Sequence, residues 1–273
     1  MLDGPCGRGK DKALLTKEQR DTIEILKTEG EEDNSIIGII LCGSLADGTS
    51  SEYSDVDIYV VVKDDEWNRR KILKDYYWGK ILDETHYPSP VDGKIVNIDF
   101  IRKIGTSGTE AIQNTFKNVE LIYCTDPKLA EAIQKIDVNH IIDKPEKINK
   151  YYALMKSNRF KADDDLTNIF QIKQCIIDTV YFACRLVLAK NNLLFPCKKN
   201  MDRTLKECIN KPTKFIEQMH ETLEVLTIES LIKFYKMMEE YSNDIIMDER
   251  LRKSYVIENE LFWFFNEKPF EEI

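Results

Sequence analysis

Two regimes of apolar spacing divide the chain. Up to about residue 142, short apolar runs alternate with helical stretches; beyond it only long helical periods remain. Residues 36–42 (IIGIILC) and 58–62 (IYVVV) are continuous apolar runs of strand length, the pattern of buried strands. Ahead of them, 16–27 reads as a helix opened by a Thr16 cap, with Ile23, Ile25 and Leu26 among charged positions, ending near Gly30. Behind them, 64–77 reads as a helix and 87–93 (YPSPVDG) as a turn cluster. Residues 94–101 then read as a strand in which Val96, Ile98 and Phe100 alternate against Asn97 and Asp99. Residues 107–118 read as helical and 119–123 as a short strand. Asp126-Pro127 opens a helix to about 136, with Asp at the cap and Pro just inside. From 143 onward, helical periods cover roughly 146–161, 166–190, 202–209, 212–225, 228–246 and 249–265. The expected architecture is an α/β domain over 1–142 followed by an α-helical bundle over 143–273. The bundle's aromatics, among them Tyr151, Tyr181, Phe234 and the run 262–265, are assigned to its core.

Composition narrows this picture without choosing a function. The 273 residues are enough for two domains, and 42% hydrophobic content supports ordinary cores. No apolar stretch approaches the length that spans a bilayer, and the first ten residues lack the apolar centre of a signal peptide. Seven cysteines, odd in number and without C-x-x-C spacing, suit reduced thiols, so a cytoplasmic protein without membrane or zinc partners is expected. His86, His140 and His220 lie far apart in sequence and signal neither a metal cluster nor a His-centred triad. The net charge of −9 shows no basic stripe of the kind that neutralises nucleic-acid phosphates, which disfavours a nucleic-acid partner.

The chemistry lies between the two apolar runs. Gly43-Ser44 is followed, ten residues on, by Asp55-Val56-Asp57 at the start of the second run. Alternate strand residues share a face, so the two carboxylates project to one side about 6.5 Å apart along the backbone. Such a pair suits Mg²⁺, which prefers oxygen ligands and is commonly held by one or two carboxylates plus substrate phosphates. Gly43 lets the backbone approach a ligand, and the Ser44 hydroxyl with neighbouring N–H groups can hydrogen-bond phosphate oxygens.

Gly43-Ser44, ten residues, then Asp55-Val56-Asp57 resembles the signature of the DNA polymerase β-like nucleotidyltransferase superfamily. The resemblance implies a small mixed β-sheet flanked by helices, a two-metal Mg²⁺ site and an NTP substrate, with ATP as the leading reading. It also implies metal ligation by Asp55 and Asp57, triphosphate binding by Gly43 and Ser44, and a third carboxylate on a later strand as ligand or base, for which Asp99 is the candidate. The segment 193–199 (LLFPCKK) is similar to the Asn-x-x-(aromatic)-Pro-x-x-Lys stretch of bacterial small-molecule nucleotidyltransferases; by that likeness Lys198 or Lys199 reaches the triphosphate. The plain reading is a helix end stopped by Pro196, with cations complementing the helix dipole. Asp163-Asp164-Asp165 either lines an acceptor pocket for amines or caps the next helix.

Within the superfamily, the chain resembles bacterial aminoglycoside and lincosamide nucleotidyltransferases, which implies a small hydroxylated, cationic acceptor. The acidic chain agrees with a cationic partner. A protein-nucleotidylating enzyme or antitoxin of the minimal type, a tRNA or oligonucleotide terminal transferase, and a non-catalytic nucleotide-binding regulator are the other readings. The helical half could also carry a homodimer contact.

Overall fold

Thr16 opens helix α1 (Lys17–Glu32) with a reciprocal capping box. Its side chain accepts from the Gln19 N–H, and Gln19 accepts from the Thr16 N–H, satisfying two donors that a helix start leaves orphaned. The computed structural model describes residues 15–79, 87–138, 141, 144–163 and 167–270. Next come β1 (Ile36–Leu41), a one-turn α2 (Gly43–Asp47), β2 (Val56–Val62), α3 (Asp64–Leu73) and β3 (Tyr77–Trp78). They are followed by β4 (Val91–Asn97), α4 (Ile98–Ser107), α5 (Glu110–Thr115), β5 (Glu120–Cys124) and α6 (Pro127–Gln134).

The strands form one mixed sheet in the order β3-β4-β2-β1-β5, with β2 and β4 parallel and the other neighbours antiparallel. One face is apolar: Ile58, Val60 and Val62 of β2, with Val91 and Ile95 of β4, share a core with Ile23 and Leu26 of α1. Burial of such side chains, about 1.5–3 kcal/mol each, holds the helix to the sheet. On the other face Tyr59 meets Phe100 and Phe116 at ring separations of 5.6 and 5.2 Å.

In the α/β part, three elements differ from the sequence expectation. The helix expected over 64–77 stops at Leu73, because Lys74 turns left-handed (φ 55°) as its cap and Tyr77–Trp78 become an edge strand on β4. The strand expected over 94–101 ends at Asn97, whose side chain caps α4 by accepting from the Phe100 N–H at 3.3 Å. The single helix expected over 107–118 is replaced by the end of α4 and the short α5.

The chain divides into two units, one of 1–108 with 115–138, the other of 109–114 with 139–273; the expected boundary at 142 and 143 falls outside the described residues. The second unit is helical: α7 (Lys144–Lys161), α8 (Ile169–Lys190), α9 (Met201–Glu207), α10 (Phe215–Val225), α11 (Ile228–Tyr241), α12 (Glu249–Glu260) and α13 (Phe262–Phe265). Tyr151, Phe182 and Phe234 are buried as expected, but Trp263, Phe264 and Phe265 are exposed. Four consecutive aromatics on a one-turn helix point all round it, so no single face can bury them. No helix among the described residues is long and apolar enough to cross a membrane.

At the centre of this unit Glu110 is buried with cations. It accepts from Lys147 Nζ and from the Phe195 N–H, each at 2.8 Å, and lies 3.5 Å from Arg185, itself 1% exposed between the rings of Tyr151 and Phe195. Glu110→Ala leaves those cations uncompensated, and a loss of about 3–5 kcal/mol is expected in urea denaturation. An unchanged midpoint would refute the network's structural weight.

Candidate active site

Three chain segments meet at one end of β2. The Cys42 N–H donates to the Asp57 carbonyl at 2.9 Å, joining the end of β1 to β2, and the Val56 N–H donates to the Pro90 carbonyl at 2.8 Å, bringing the start of β4 alongside. Gly43 sits here with φ 66°, and a Cβ at that position would meet Asp57 Cγ at 2.9 Å. Only glycine satisfies both the left-handed backbone and the approach of the carboxylate. Ser44 follows it in the first turn of α2, so the expected Gly-Ser turn is the start of a short helix. Asp55 and Asp57, both half-buried, lie just before and within β2.

The loop leading to Asp55 is tied down by α1. Gln19, 1% exposed, donates through Nε2 to the carbonyls of Ser51 and Ser54 at 3.0 and 3.1 Å. The capping pattern Thr16-Lys-Glu-Gln19 is the sequence signal for this residue, though not for its second task. Gln19→Ala strips two carbonyls of their donor, so a loss of about 1–3 kcal/mol is expected by thermal melting. A variant as stable as the parent would show that water replaces Gln19 at no cost.

The carboxylate that stands beside Asp57 in the sheet is Asp92, while the expected Asp99 lies elsewhere. In the parallel ladder Asp57 lies directly beside Asp92, one strand over and on the same face. Pro88, Pro90, Asp92 and Gly93 have turn composition, which hides Asp92 in the sequence, yet β4 begins at Val91 and Gly93 is there because the Trp78 backbone crosses it too closely for a side chain. Asp99 is in the first turn of α4, 59% exposed and paired with Arg102 at 3.0 Å. The register puts Asn97 beside Val62, five residues from Asp57 and about 17 Å along the sheet. Asp99 lines a different cavity of about 510 Å³, with Asp64, Trp67, Lys71, Phe100 and Lys103.

The electrostatics register the same cluster. Burial pushes the Cys42 thiol up to about 12, and the charges of Asp57, Asp92 and Asp55 add to the effect while Lys94 opposes it. The Tyr59 phenol is raised too, first by burial and then by Cys42, Asp57 and Asp92. Lys94 donates to Asp92 at 2.7 Å; its burial would lower its pKa, but Asp92 and Asp57 raise it on balance. Among the described residues no three Asp, Glu, His or Cys side chains already surround one point. The fit to Mg²⁺ rests on the donor set: hard carboxylate oxygens around Cys42, with an ammonium already drawn to one of them.

Residues 22–128 match the family described as Polymerase beta, Nucleotidyltransferase. That stretch is a nucleotidyltransferase domain. It contains Gly43, Ser44, Asp55, Asp57 and Asp92, and the chain is a nucleotidyltransferase by virtue of it. No curated protein matches the chain. Among solved structures, a nucleotidyltransferase-like protein from Exiguobacterium sibiricum 255-15 is similar at 12% identity and TM-score 0.44, over 91% of this chain and 90% of that one. Spectinomycin adenyltransferase AAD(9) from Enterococcus faecialis, solved with ATP and spectinomycin, is similar at 14% identity and TM-score 0.38, over 82% and 99%.

Two segments singled out in the sequence lie outside the nucleotidyltransferase domain. Lys199 is exposed in the second unit after Pro196, and neighbouring Lys198 stands 5.7 Å from the Tyr181 ring. Of the acidic run at 163–165, Asp163 pairs with Arg159 at 2.7 Å, while Asp164 and Asp165 lie outside the described residues.

Proposed function

We infer that the chain transfers a nucleoside monophosphate, AMP from ATP, to a hydroxyl of a small acceptor and releases pyrophosphate. The observation that carries this is the lateral pairing of Asp57 with Asp92 beside Gly43-Ser44. The acceptor oxygen bonds to the α-phosphorus, the bond to pyrophosphate breaks, and Asp92, half-exposed at the strand start, takes the hydroxyl proton. Gly43 and Ser44 receive the triphosphate through backbone N–H groups and the hydroxyl. Asp55, Asp57 and Asp92 would hold Mg²⁺, whose chemistry is to neutralise the phosphate charge. The helical residues 143–273 form the acceptor-binding domain.

The acceptor class we favour is a hydroxylated cation of the aminoglycoside or lincosamide kind. Its support is the net charge of −9 and the motif likeness. The test offers α-labelled NTPs and Mg²⁺ with a panel of these compounds beside cell extract. Label on a panel compound supports the reading; label confined to protein or RNA would move the acceptor to a macromolecule.

A further inference from the structure

The carboxylate face carries a cation of its own. Lys94 follows Asp92 by two residues on β4, so both side chains stand on the face that bears Asp57. Its Nζ donates to Asp92 Oδ2 at 2.7 Å and lies 5.9 Å from the ring of Tyr59, its register partner on β2. The two side chains are 45% and 46% exposed, so the pair is open to water and to a competing ion.

This geometry puts an ammonium where a ligand oxygen for a divalent ion is required. A metal arriving alone at Asp92 meets like charge within a few ångströms and must displace it. A metal arriving with a triphosphate brings the remedy, because phosphate oxygens accept a lysine readily. We propose that Lys94 is a built-in counter-ion that competes with divalent metal for Asp92 and passes to the nucleotide's phosphates, so that metal binds well only together with nucleotide. Metal and nucleotide are thereby coupled, each strengthening the other. The proposal rests on the nucleotidyl-transfer reading of this site.

Mn²⁺ is titrated into the full chain and into Lys94→Met, and the free ion is followed by its paramagnetic resonance signal. The titrations are run with and without an α,β-methylene ATP analogue. Without nucleotide, Lys94→Met should bind Mn²⁺ about tenfold more tightly than the parent. The analogue should then strengthen Mn²⁺ binding strongly in the parent and little in the variant. Lys94→Arg, which keeps the charge, should bind as weakly as the parent. If the Met variant does not fold, Lys94→Gln serves in its place. Mn²⁺ affinity in the neutral variants equal to or below that of the parent overturns the proposal. Mn²⁺ binding that Asp57→Asn leaves unaltered in both backgrounds is a separate failure: it removes the metal from this face and overturns the transfer reading together with the proposal.

Discussion

Asp57→Asn should lower nucleotidyl transfer roughly a thousandfold or more while leaving the fold intact. Asp57 is the point where the three segments join: its carbonyl receives Cys42, its carboxylate fills the space beside Gly43, and Asp92 stands next to it in the ladder. Asparagine keeps the shape and the backbone bond but halves the oxygen donors and removes the charge. Loss of a metal's stabilisation of the transferring phosphate is worth about 4 kcal/mol or more, which is that thousandfold. Stability moves the other way or not at all, because a charge leaves a cluster of like charges. The check is kcat under saturating ATP together with a melting curve. Near-parental turnover would refute the site.

The second large effect is a contrast between two aspartates. Asp92→Asn should also lose roughly a thousandfold in turnover, since it removes both a donor oxygen and the proposed proton acceptor. Asp99→Asn should stay within about twofold. Asp99 is exposed, paired with Arg102 on its own helix, and at the opposite end of the parallel strands. An exposed pair of that kind is worth about 0–1 kcal/mol. Measured side by side, the two variants decide between the ladder and the sequence pattern; a large loss at Asp99 with none at Asp92 would reverse the assignment.

The contrast shows which parts of the site the sequence can express. Gly43, Ser44, Asp55 and Asp57 are legible because their relation is local: a turn, a fixed spacing and the two-residue period of a strand. Asp92 owes its place to pairing with β2 across an intervening helix and edge strand, and its own segment has the composition of a loop. Tertiary pairing there overrides local propensity. Asp99 illustrates the converse. Val96, Ile98 and Phe100 fit a strand, but Ile98, Ile101 and Ile104 at three-residue spacing behind Asn97 fit a capped helix, and Ile101 and Ile104 are the residues that bury. The helical half is legible nearly element by element, because long amphipathic periods are the strongest local signal a chain carries. Glu110 is not, since an acidic residue opening a short helix gives no hint that it closes around Lys147 and Arg185.

The most direct measurement is a crystal structure of the full chain with Mn²⁺ and a non-hydrolysable ATP analogue, read by the anomalous signal of manganese. The account predicts manganese between Asp57 and Asp92, with the triphosphate along Gly43 and Ser44. Nucleotide in the cavity around Trp67 and Asp99, or manganese away from the Asp57–Asp92 pair, would contradict it.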